Sequence, residues 1–169
     1  SKIILFSSLK LHLENKGVKV FIEYKVERPD NEPDIPDIFA VTEKSYSFLE
    51  EKSSLPKDRA KLELEVGNVR RYASEHRFEH KTFAPQVILL CPSDIYKQRA
   101  TELKKHEKDL CIVAYPYPLE DPIVLKRVQG SISDSKLIPI LTGVETVAHA
   151  RTIVPHIKFL RKDPPVPWN

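Results

Sequence analysis

The sequence PDIFAVTEKSYSFLEEK, residues 36–52, decides the fold of this chain. It opens with an apolar, β-prone run after Asp37 and is broken by the polar pair Glu43-Lys44. From Ser45 onwards, apolar and polar side chains alternate until the stretch ends in charged residues. The pattern therefore predicts two strands joined by a short turn, which is a β-hairpin.

Charged residues at the open end of this hairpin are predicted to meet at one point. Side chains at positions i and i+2 of a strand share a face, so Glu50 and Lys52 should lie side by side while Glu51 points away. The hairpin also brings Asp37 towards Glu50. Two carboxylates beside a lysine suit Mg²⁺, which binds few carboxylates and keeps several waters. The lysine can then position, or help to deprotonate, a water that attacks phosphorus.

At these residues the chain resembles the PD-(D/E)xK nuclease superfamily. Pro36-Asp37 corresponds to the first half of the motif and Glu50-Glu51-Lys52 to the second. The resemblance covers about the first two thirds of the chain and implies a restriction-endonuclease-like core. A plain surface hairpin that ends in ordinary charges is the alternative interpretation of the same residues.

The resemblance implies a metal-dependent deoxyribonuclease. On the family pattern, Asp37 and Glu50 would hold Mg²⁺ with the backbone carbonyl of Glu51, and Mn²⁺ would substitute for it. Lys52 would position the attacking water. The ion polarises the phosphate and stabilises the leaving 3′-oxygen, so we expect an endonuclease that leaves 5′-phosphates.

Context selects this copy of the motif among others in the chain. A Glu-x-Lys sequence occurs at several places, among them residues 14–16, 23–25 and 50–52, and only the one at 50–52 follows a Pro-Asp pair at hairpin distance. Pro33-Asp34 is a rival for the first half of the motif. It lies among polar residues, which are typical of a solvated loop, so we expect Asp37 to be the site residue.

The rest of the chain predicts an α/β fold with a mixed central β-sheet flanked by helices. The expected order is helix, three strands, helix, strand, helix, strand, which agrees with the order in the nuclease family. The expected helices cover residues 3–16, 57–75 and a segment after 93; the expected strands cover 18–26, the two halves of the hairpin, 86–91 and 110–115. Glu14 is the acid available on the first helix, and a surface role is favoured over a metal contact.

The helix predicted over residues 57–75 carries the candidates for DNA contact. The segment Asn68 to Tyr72 resembles the Gln-x-x-x-Tyr motif of the RecB-like branch of the superfamily, with Asn in place of Gln. Basic and amide side chains can hold the phosphate backbone without reading sequence. Tyr72 packing in the core, beside solvated arginines, is the alternative. The DNA-contact candidates are Lys57, Arg59, Asn68, Arg70, Arg71 and Tyr72.

Three segments are expected along the chain. Residues 1–120 form the nuclease-like core, residues 121–161 an extension that packs on it, and residues 162–169 a proline-rich tail or linker. Within the extension, residues 123–128 are expected as an edge strand and residues 144–160 as a helix. Further domains beyond these ends are expected as covalent partners.

Composition bounds the class of protein. The chain has 169 residues, 41% hydrophobic and 30% charged, which excludes disorder of the whole. A net charge of +3 permits DNA contact without demanding it. No apolar run is long enough to span a bilayer, so no membrane partner and an intracellular, cytoplasmic location are expected. Cys91 and Cys111 lie in apolar runs and are expected as buried free thiols.

Two other functions are consistent with the same residues. One keeps the fold and discards catalysis, giving a DNA-binding or assembly module of a larger restriction, transposition or repair protein. The other is an unrelated α/β protein in which the hairpin has no site. Dimerisation, sequence specificity and the choice between DNA and RNA stay open at this point, because they depend on loops outside the motif.

Overall fold

The computed structural model describes residues 2–28, 31–75, 81–134 and 144–147. These residues form an α/β fold, as predicted. The helices are α1 (Lys2–Glu14), α2 (Arg59–Glu75) and α3 (Ser93–Leu103), followed by a 3-10 turn at Lys104–His106. The strands are β1 (Lys19–Ile22), β2 (Val26–Arg28), β3 (Asn31–Asp34), β4 (Ile38–Val41), β5 (Tyr46–Glu51), β6 (Gln86–Pro92), β7 (Cys111–Tyr115), β8 (Ile123–Gln129) and β9 (Val144–Val147).

Seven of these strands form one mixed sheet in the order β1-β4-β5-β6-β7-β8-β9. Strands β1, β4 and β5 are antiparallel neighbours, β5, β6 and β7 are parallel, and β8 and β9 return antiparallel. The predicted hairpin is the β4–β5 pair, in which Ile38 lies opposite Leu49 and Val41 opposite Tyr46. The predicted mixed sheet is therefore confirmed.

Both faces of the sheet are covered by helices, which gives the protein two cores. Helix α1 packs on one face, against alternate residues such as Ile38 and Leu49. Helices α2 and α3 pack on the other face, against the residues in between, such as Phe39 and Phe48. All six residues of β5 are buried, as expected for a strand covered on both sides. Cys91 and Cys111 are buried free thiols, as predicted.

The segment between β1 and β4 differs from the prediction. The strand expected over residues 18–26 ends at Ile22, because Glu23 takes a positive φ of 53° and its N–H donates to the Asp37 carbonyl at 3.1 Å. The polar stretch that follows is a two-stranded ribbon of β2 and β3. Asp34 is buried in it and pairs with Arg28 and Arg71, so the expectation of a solvated loop here was wrong.

The carboxyl-terminal part also differs from the prediction. β8 is the expected strand after residue 122, but it lies between β7 and β9 and is not at the edge. Residues 144–147, expected as the start of a helix, form β9. Three of these four residues are β-branched, and β8 offers them an open edge to pair with. Residues 148–169, with the rest of that helix and the tail, lie outside the described residues. No helix in the described ranges is long and apolar enough to cross a membrane.

The turn of the hairpin is held from outside by Asp134. Its carboxylate, 1% exposed, accepts a hydrogen bond from Ser45 Oγ at 2.6 Å and one from the Thr42 hydroxyl. Thr42 Oγ1 in turn accepts the backbone N–H groups of Lys44 and Ser45. These bonds join the tip of the hairpin to the segment after β8 and so fix the direction of the β4 and β5 strands.

Gly130 allows the chain to pass close to β7. Its φ is +81°, and a Cβ built on it would lie 2.7 Å from both the Cys111 Cα and the Leu110 carbonyl oxygen. Gly130→Ala is therefore expected to lower the free energy of unfolding by about 1–3 kcal/mol or more. Urea denaturation of the two proteins measures the difference.

Gly67→Ala is the matched control. Gly67 is exposed in α2, and nothing lies within 4 Å of a Cβ built there. Alanine favours a helix, so this variant should gain up to about 1 kcal/mol. Equal effects of the two substitutions would contradict the tight packing at Gly130.

Candidate active site

The backbone of the hairpin places Asp37 and Glu50 directly beside each other. Extending the register by one residue from the Ile38–Leu49 pair sets Asp37 opposite Glu50. The N–H of Asp37 donates to Glu50 Oε1 at 3.2 Å. Asp37 is half-buried and Glu50 is 8% exposed. The predicted meeting of the two carboxylates is therefore present.

A second hydrogen bond orients Asp37. The N–H of Glu51 donates to Asp37 Oδ2 at 2.8 Å. Because the N–H and C=O of one strand residue point to the same side, the Glu51 carbonyl is also directed towards Asp37. Three oxygen donors, two carboxylates and one backbone carbonyl, are thus available on one side of the end of β5.

The alternation of side chains along β5 separates Glu50 from Glu51, as predicted. Glu50 lies on the α2 face, where Lys52 also lines a small cavity with Val66 and Val69 of α2. Glu51 lies on the α1 face, where the Tyr115 hydroxyl donates to its Oε1 at 2.7 Å. Neighbouring residues of one strand thus serve opposite faces of the sheet.

Tyr72 of α2 reaches the same site. Its hydroxyl donates to the Glu50 carboxylate, and its ring packs on Phe48 with 5.4 Å between ring centroids. Burial, followed by the charge of Glu50, raises the pKa of Tyr72, so the hydroxyl keeps its proton. Core packing and a contact with the site were alternative interpretations of this residue. The structure shows both.

Glu50 is the electrostatically perturbed group of the site. Burial, and next the charge of Asp37, raise its pKa from 4.5 to about 7. The Asp37 N–H, the charge of Lys52 and the Tyr72 hydroxyl act in the opposite direction and offset only part of that rise. A carboxylate that is desolvated beside a second carboxylate is costly to ionise, and a nearby cation removes that cost.

The α2 helix begins later than predicted but carries its residues to the expected face. It starts at Arg59, and the Asp58 carboxylate accepts the Ala60 N–H at 3.1 Å as an N-cap. Leu62, Val66 and Val69 are its buried residues, which orients Tyr72 towards the sheet. Asn68, which stands at the Gln position of the Gln-x-x-x-Tyr pattern, lies one helical turn before Tyr72 and is exposed.

Asp34, which the sequence pattern assigned to a solvated loop, is a buried acid near the site. Arg71 donates to both of its oxygens, at 2.9 and 3.2 Å, and also to Glu75 at 2.7 Å. Arg28 completes the group with contacts to Asp34 and Glu75. The charge of Asp34 also acts on Tyr72. The only signal in the sequence was the second Pro-Asp pair, and its partners are remote along the chain.

The remaining candidates for DNA contact differ in what they already bind. Arg70 pairs with Asp109 and lies 3.3 Å from His106 Nδ1, and Arg71 is held by the acids described above. Lys57 and Arg59 are exposed at or just before the start of α2, and Asn68 is exposed in the middle of this helix. Glu14 is exposed at the end of α1, 3.8 Å from Lys10, which agrees with the expected surface role.

The donor set of the site suits a hard cation that keeps water ligands. Among the residues that the structure describes, no group of three or more His, Cys, Asp and Glu side chains could hold a metal ion. Two carboxylates do meet, at Asp37 and Glu50. Mg²⁺ is commonly bound by one or two carboxylates together with water and substrate phosphate. The residues present therefore fit Mg²⁺ better than a metal that needs a full protein cage.

Comparison with known proteins gives no relative for this chain. No family model matches it, and no curated protein or solved structure is significantly similar. The functional argument therefore depends on the residues and their geometry alone.

Glu50→Gln is expected to stabilise the metal-free protein at about pH 8, by roughly 1–3 kcal/mol of unfolding free energy. The pKa of Glu50 is higher in the folded protein, about 7, than its ordinary value of 4.5. The folded state therefore holds more protons in this window, and native stability falls as pH rises through it. Glutamine does not titrate but still accepts the Asp37 N–H.

Urea unfolding in EDTA at about pH 8 and pH 4 measures this effect. The variant should lose its advantage at the acidic pH, where Glu50 is protonated in both states. Glu43→Gln, an exposed change in the hairpin turn, is the control and should alter stability by less than about 0.5 kcal/mol at either pH. A Glu50→Gln protein that is less stable at both values would show that burial of this carboxylate costs nothing.

Proposed function

We propose that this protein is a Mg²⁺-dependent nuclease that hydrolyses phosphodiester bonds of DNA as an endonuclease and leaves 5′-phosphates. One observation carries the proposal. At the end of the β4–β5 hairpin the Asp37 N–H donates to the Glu50 carboxylate and the Glu51 N–H donates to the Asp37 carboxylate, and Lys52 and Tyr72 lie on the same face as Glu50. This is the combination of residue types that the PD-(D/E)xK pattern requires.

The charge balance of the site supports a divalent cation. Glu50 is almost fully buried beside Asp37, and its pKa is raised for that reason. A positive charge between the two carboxylates would lower the cost of ionising Glu50. Bound there, Mg²⁺ would polarise the phosphodiester and lower the pKa of a water. Asp37, Glu50 and the Glu51 carbonyl are the groups that would hold it.

The architecture supports the same family. The main sheet and its helices follow the order helix, three strands, helix, strand, helix, strand, if the β2–β3 ribbon is treated as an insertion. The first three strands of the sheet are antiparallel and the next two are added in parallel. We propose a restriction-endonuclease-like core on this basis, with β8 and β9 as additions to its sheet.

Each side chain of the site has a task in this mechanism. Lys52 is half-buried and packs along α2, so its ammonium group is confined near Glu50 and can orient the attacking water by donating a hydrogen bond to it. Tyr72 fixes the Glu50 carboxylate by hydrogen bonding, while the Glu51 N–H fixes Asp37. Pre-oriented groups of this kind reduce the cost of bringing the phosphate and the water together.

DNA would be held by basic side chains near the start of α2. Lys57 and Arg59 are exposed there, a few residues after Lys52 in the chain. Such phosphate contacts are independent of sequence and weaken with salt. Arg70 and Arg71 are already paired with acids, so a phosphate would have to replace those partners. We therefore expect the larger contribution from Lys57 and Arg59.

Millimolar Mg²⁺ is expected to raise the melting temperature of the protein, by roughly 2–8 °C. The rise should be larger at about pH 8 than at about pH 6, because Glu50 must lose its proton to bind a metal. Asp37→Asn and Glu50→Gln should lose most of the rise. Differential scanning calorimetry against an EDTA reference measures it without any substrate.

Asp94→Asn is the control for metal binding. Asp94 is an exposed acid in the first turn of α3 and is not part of the Asp37–Glu50 pair, so its substitution should leave the Mg²⁺-dependent rise intact. An equal rise in the native protein and in Asp37→Asn would place the metal elsewhere and contradict the proposed site.

Cleavage of supercoiled plasmid DNA in Mg²⁺ or Mn²⁺ tests the activity itself. Asp37→Asn and Lys52→Ala are each expected to lower the rate by roughly 100-fold or more, because one removes a metal ligand and the other the group that handles the water. Lys97→Ala, at an exposed lysine of α3, should cut at the native rate. The fragments should be joined by a ligase without prior phosphorylation, since they carry 5′-phosphates.

Other outcomes of this assay discriminate the alternatives. If the native protein binds DNA but cuts neither double-stranded nor single-stranded DNA with either metal, a non-catalytic DNA-binding module replaces the nuclease. If it cuts RNA and leaves DNA intact, the chemistry of the site stands and the substrate class is wrong.

A further inference from the structure

A cavity of about 370 Å³ lies on the face of the sheet opposite Glu50. It sits where the parallel strands β5, β6 and β7 end, the place where open α/β sheets commonly bind ligands. Its volume falls within the range of small-ligand sites. It is lined by Leu5, Glu51, Ser53, Pro92, Tyr115, Tyr117 and Leu119.

The polar part of this cavity is a buried carboxylate. Glu51 is 3% exposed, and its Oε1 accepts the Tyr115 hydroxyl at 2.7 Å. Burial, and next the hydrogen bond to Glu51, raise the pKa of Tyr115, so this hydroxyl remains a donor. Each carboxyl oxygen can accept more than one hydrogen bond, so the bond from Tyr115 does not prevent Glu51 from accepting an N–H group of a ligand.

The apolar part of the cavity is suited to a flat ring. Leu5, Pro92 and Leu119 form apolar walls, and Tyr117 stands at the rim with 67% of its surface exposed. It is the most exposed large apolar side chain among the described residues. An exposed tyrosine beside an apolar cavity provides a face on which a planar ring can stack.

We infer that this cavity binds an unpaired nucleobase of the substrate strand, stacked on Tyr117, with an amino group of the base donating to Glu51. Glutamate accepts in this way from the exocyclic amine of cytosine. The inference rests on the proposed function, because it makes the base part of the same strand whose phosphate lies at Glu50. Cytosine, adenine and guanine carry exocyclic amines that fit the acceptor, whereas thymine carries none.

The burial of Glu51 explains why the base must be unpaired. A base inside a duplex is stacked and paired, so its amino edge cannot reach a carboxylate that is 3% exposed. An extruded or single-stranded base can enter and is read on its pairing edge. The adjacency of Glu50 and Glu51 sets the phosphate site and the base site at the same end of the sheet, on its two faces.

Photocrosslinking tests this site without any cleavage. A single-stranded oligonucleotide carrying 5-iodocytosine, mixed with the full chain in EDTA and irradiated, should crosslink to Tyr117, as mapped by mass spectrometry of the digested protein. A crosslink that maps to other aromatic residues and leaves Tyr117 unmodified would overturn the inference.

Binding measurements give the size of the contact. Tyr117→Ala is expected to weaken binding of a cytosine oligonucleotide by roughly 5- to 150-fold in fluorescence anisotropy, the usual effect of removing one stacking side chain. Tyr117→Phe should retain most of the affinity. Leu64→Ala, at a side chain 66% exposed on α2, is the matched surface control and should bind like the native protein.

An oligonucleotide with abasic positions, combined with Tyr117→Ala, gives a double-mutant cycle between the side chain and the base. If Tyr117 stacks on a base, Tyr117→Ala should have little further effect on the abasic strand, so the two changes are not additive. Equal losses on the normal and abasic strands would overturn the inference, since Tyr117 would then contact the sugar-phosphate backbone.

These experiments distinguish a failure of the nuclease proposal from a failure of the base-site inference. Plasmid cleavage that depends on Asp37 and Lys52, with binding unaffected by Tyr117→Ala, would keep the nuclease and overturn the base site. A crosslink at Tyr117 in a protein that cuts no nucleic acid would support the base site and overturn catalysis.

Discussion

The structure depends on a pair of hydrogen bonds that hold the ends of two antiparallel strands together. Asp37 donates its N–H to Glu50, and Glu51 donates its N–H to Asp37. These bonds bring two carboxylates together in a place where burial makes the ionisation of Glu50 costly. The Asp37 N–H, Lys52 and Tyr72 offset part of that cost. The part that remains is a free energy that a bound divalent cation can recover, which links the stability of the hairpin to metal binding.

Two adjacent glutamates of β5, Glu50 and Glu51, lie on opposite faces of the sheet. Glu50 faces α2 and Glu51 faces α1, because successive side chains of a strand point to opposite faces. Both faces are covered by helices, so each carboxylate is buried and each has its own tyrosine, Tyr72 for Glu50 and Tyr115 for Glu51. The proposed catalytic site and the proposed base site can therefore lie at the same end of one strand without overlapping.

The local part of this arrangement was predictable from sequence and the remote part was not. The hairpin follows from alternation on either side of Glu43-Lys44, which is a property of adjacent residues. The burial of Asp34 depends on Arg71, 37 positions away, and no short-range pattern reports such a contact. Residues 144–147 became a strand because β8 had an edge to pair with, which overrode their helical spacing. The contact of Tyr72 with Glu50 likewise needed the packing of α2 on the sheet.

The distribution of charge determines from which side a nucleic acid can approach. The net charge is only +3, so the overall charge of the protein attracts DNA weakly. Arg70 and Arg71 are neutralised by acids on the side of α2 that faces β3 and the segment after α3. Lys57 and Arg59 stay exposed close to where β5 ends. On the proposed function, a strand held by these two side chains would arrive at the carboxyl edge of the sheet, where Glu50 would contact a phosphate and Tyr117 a base.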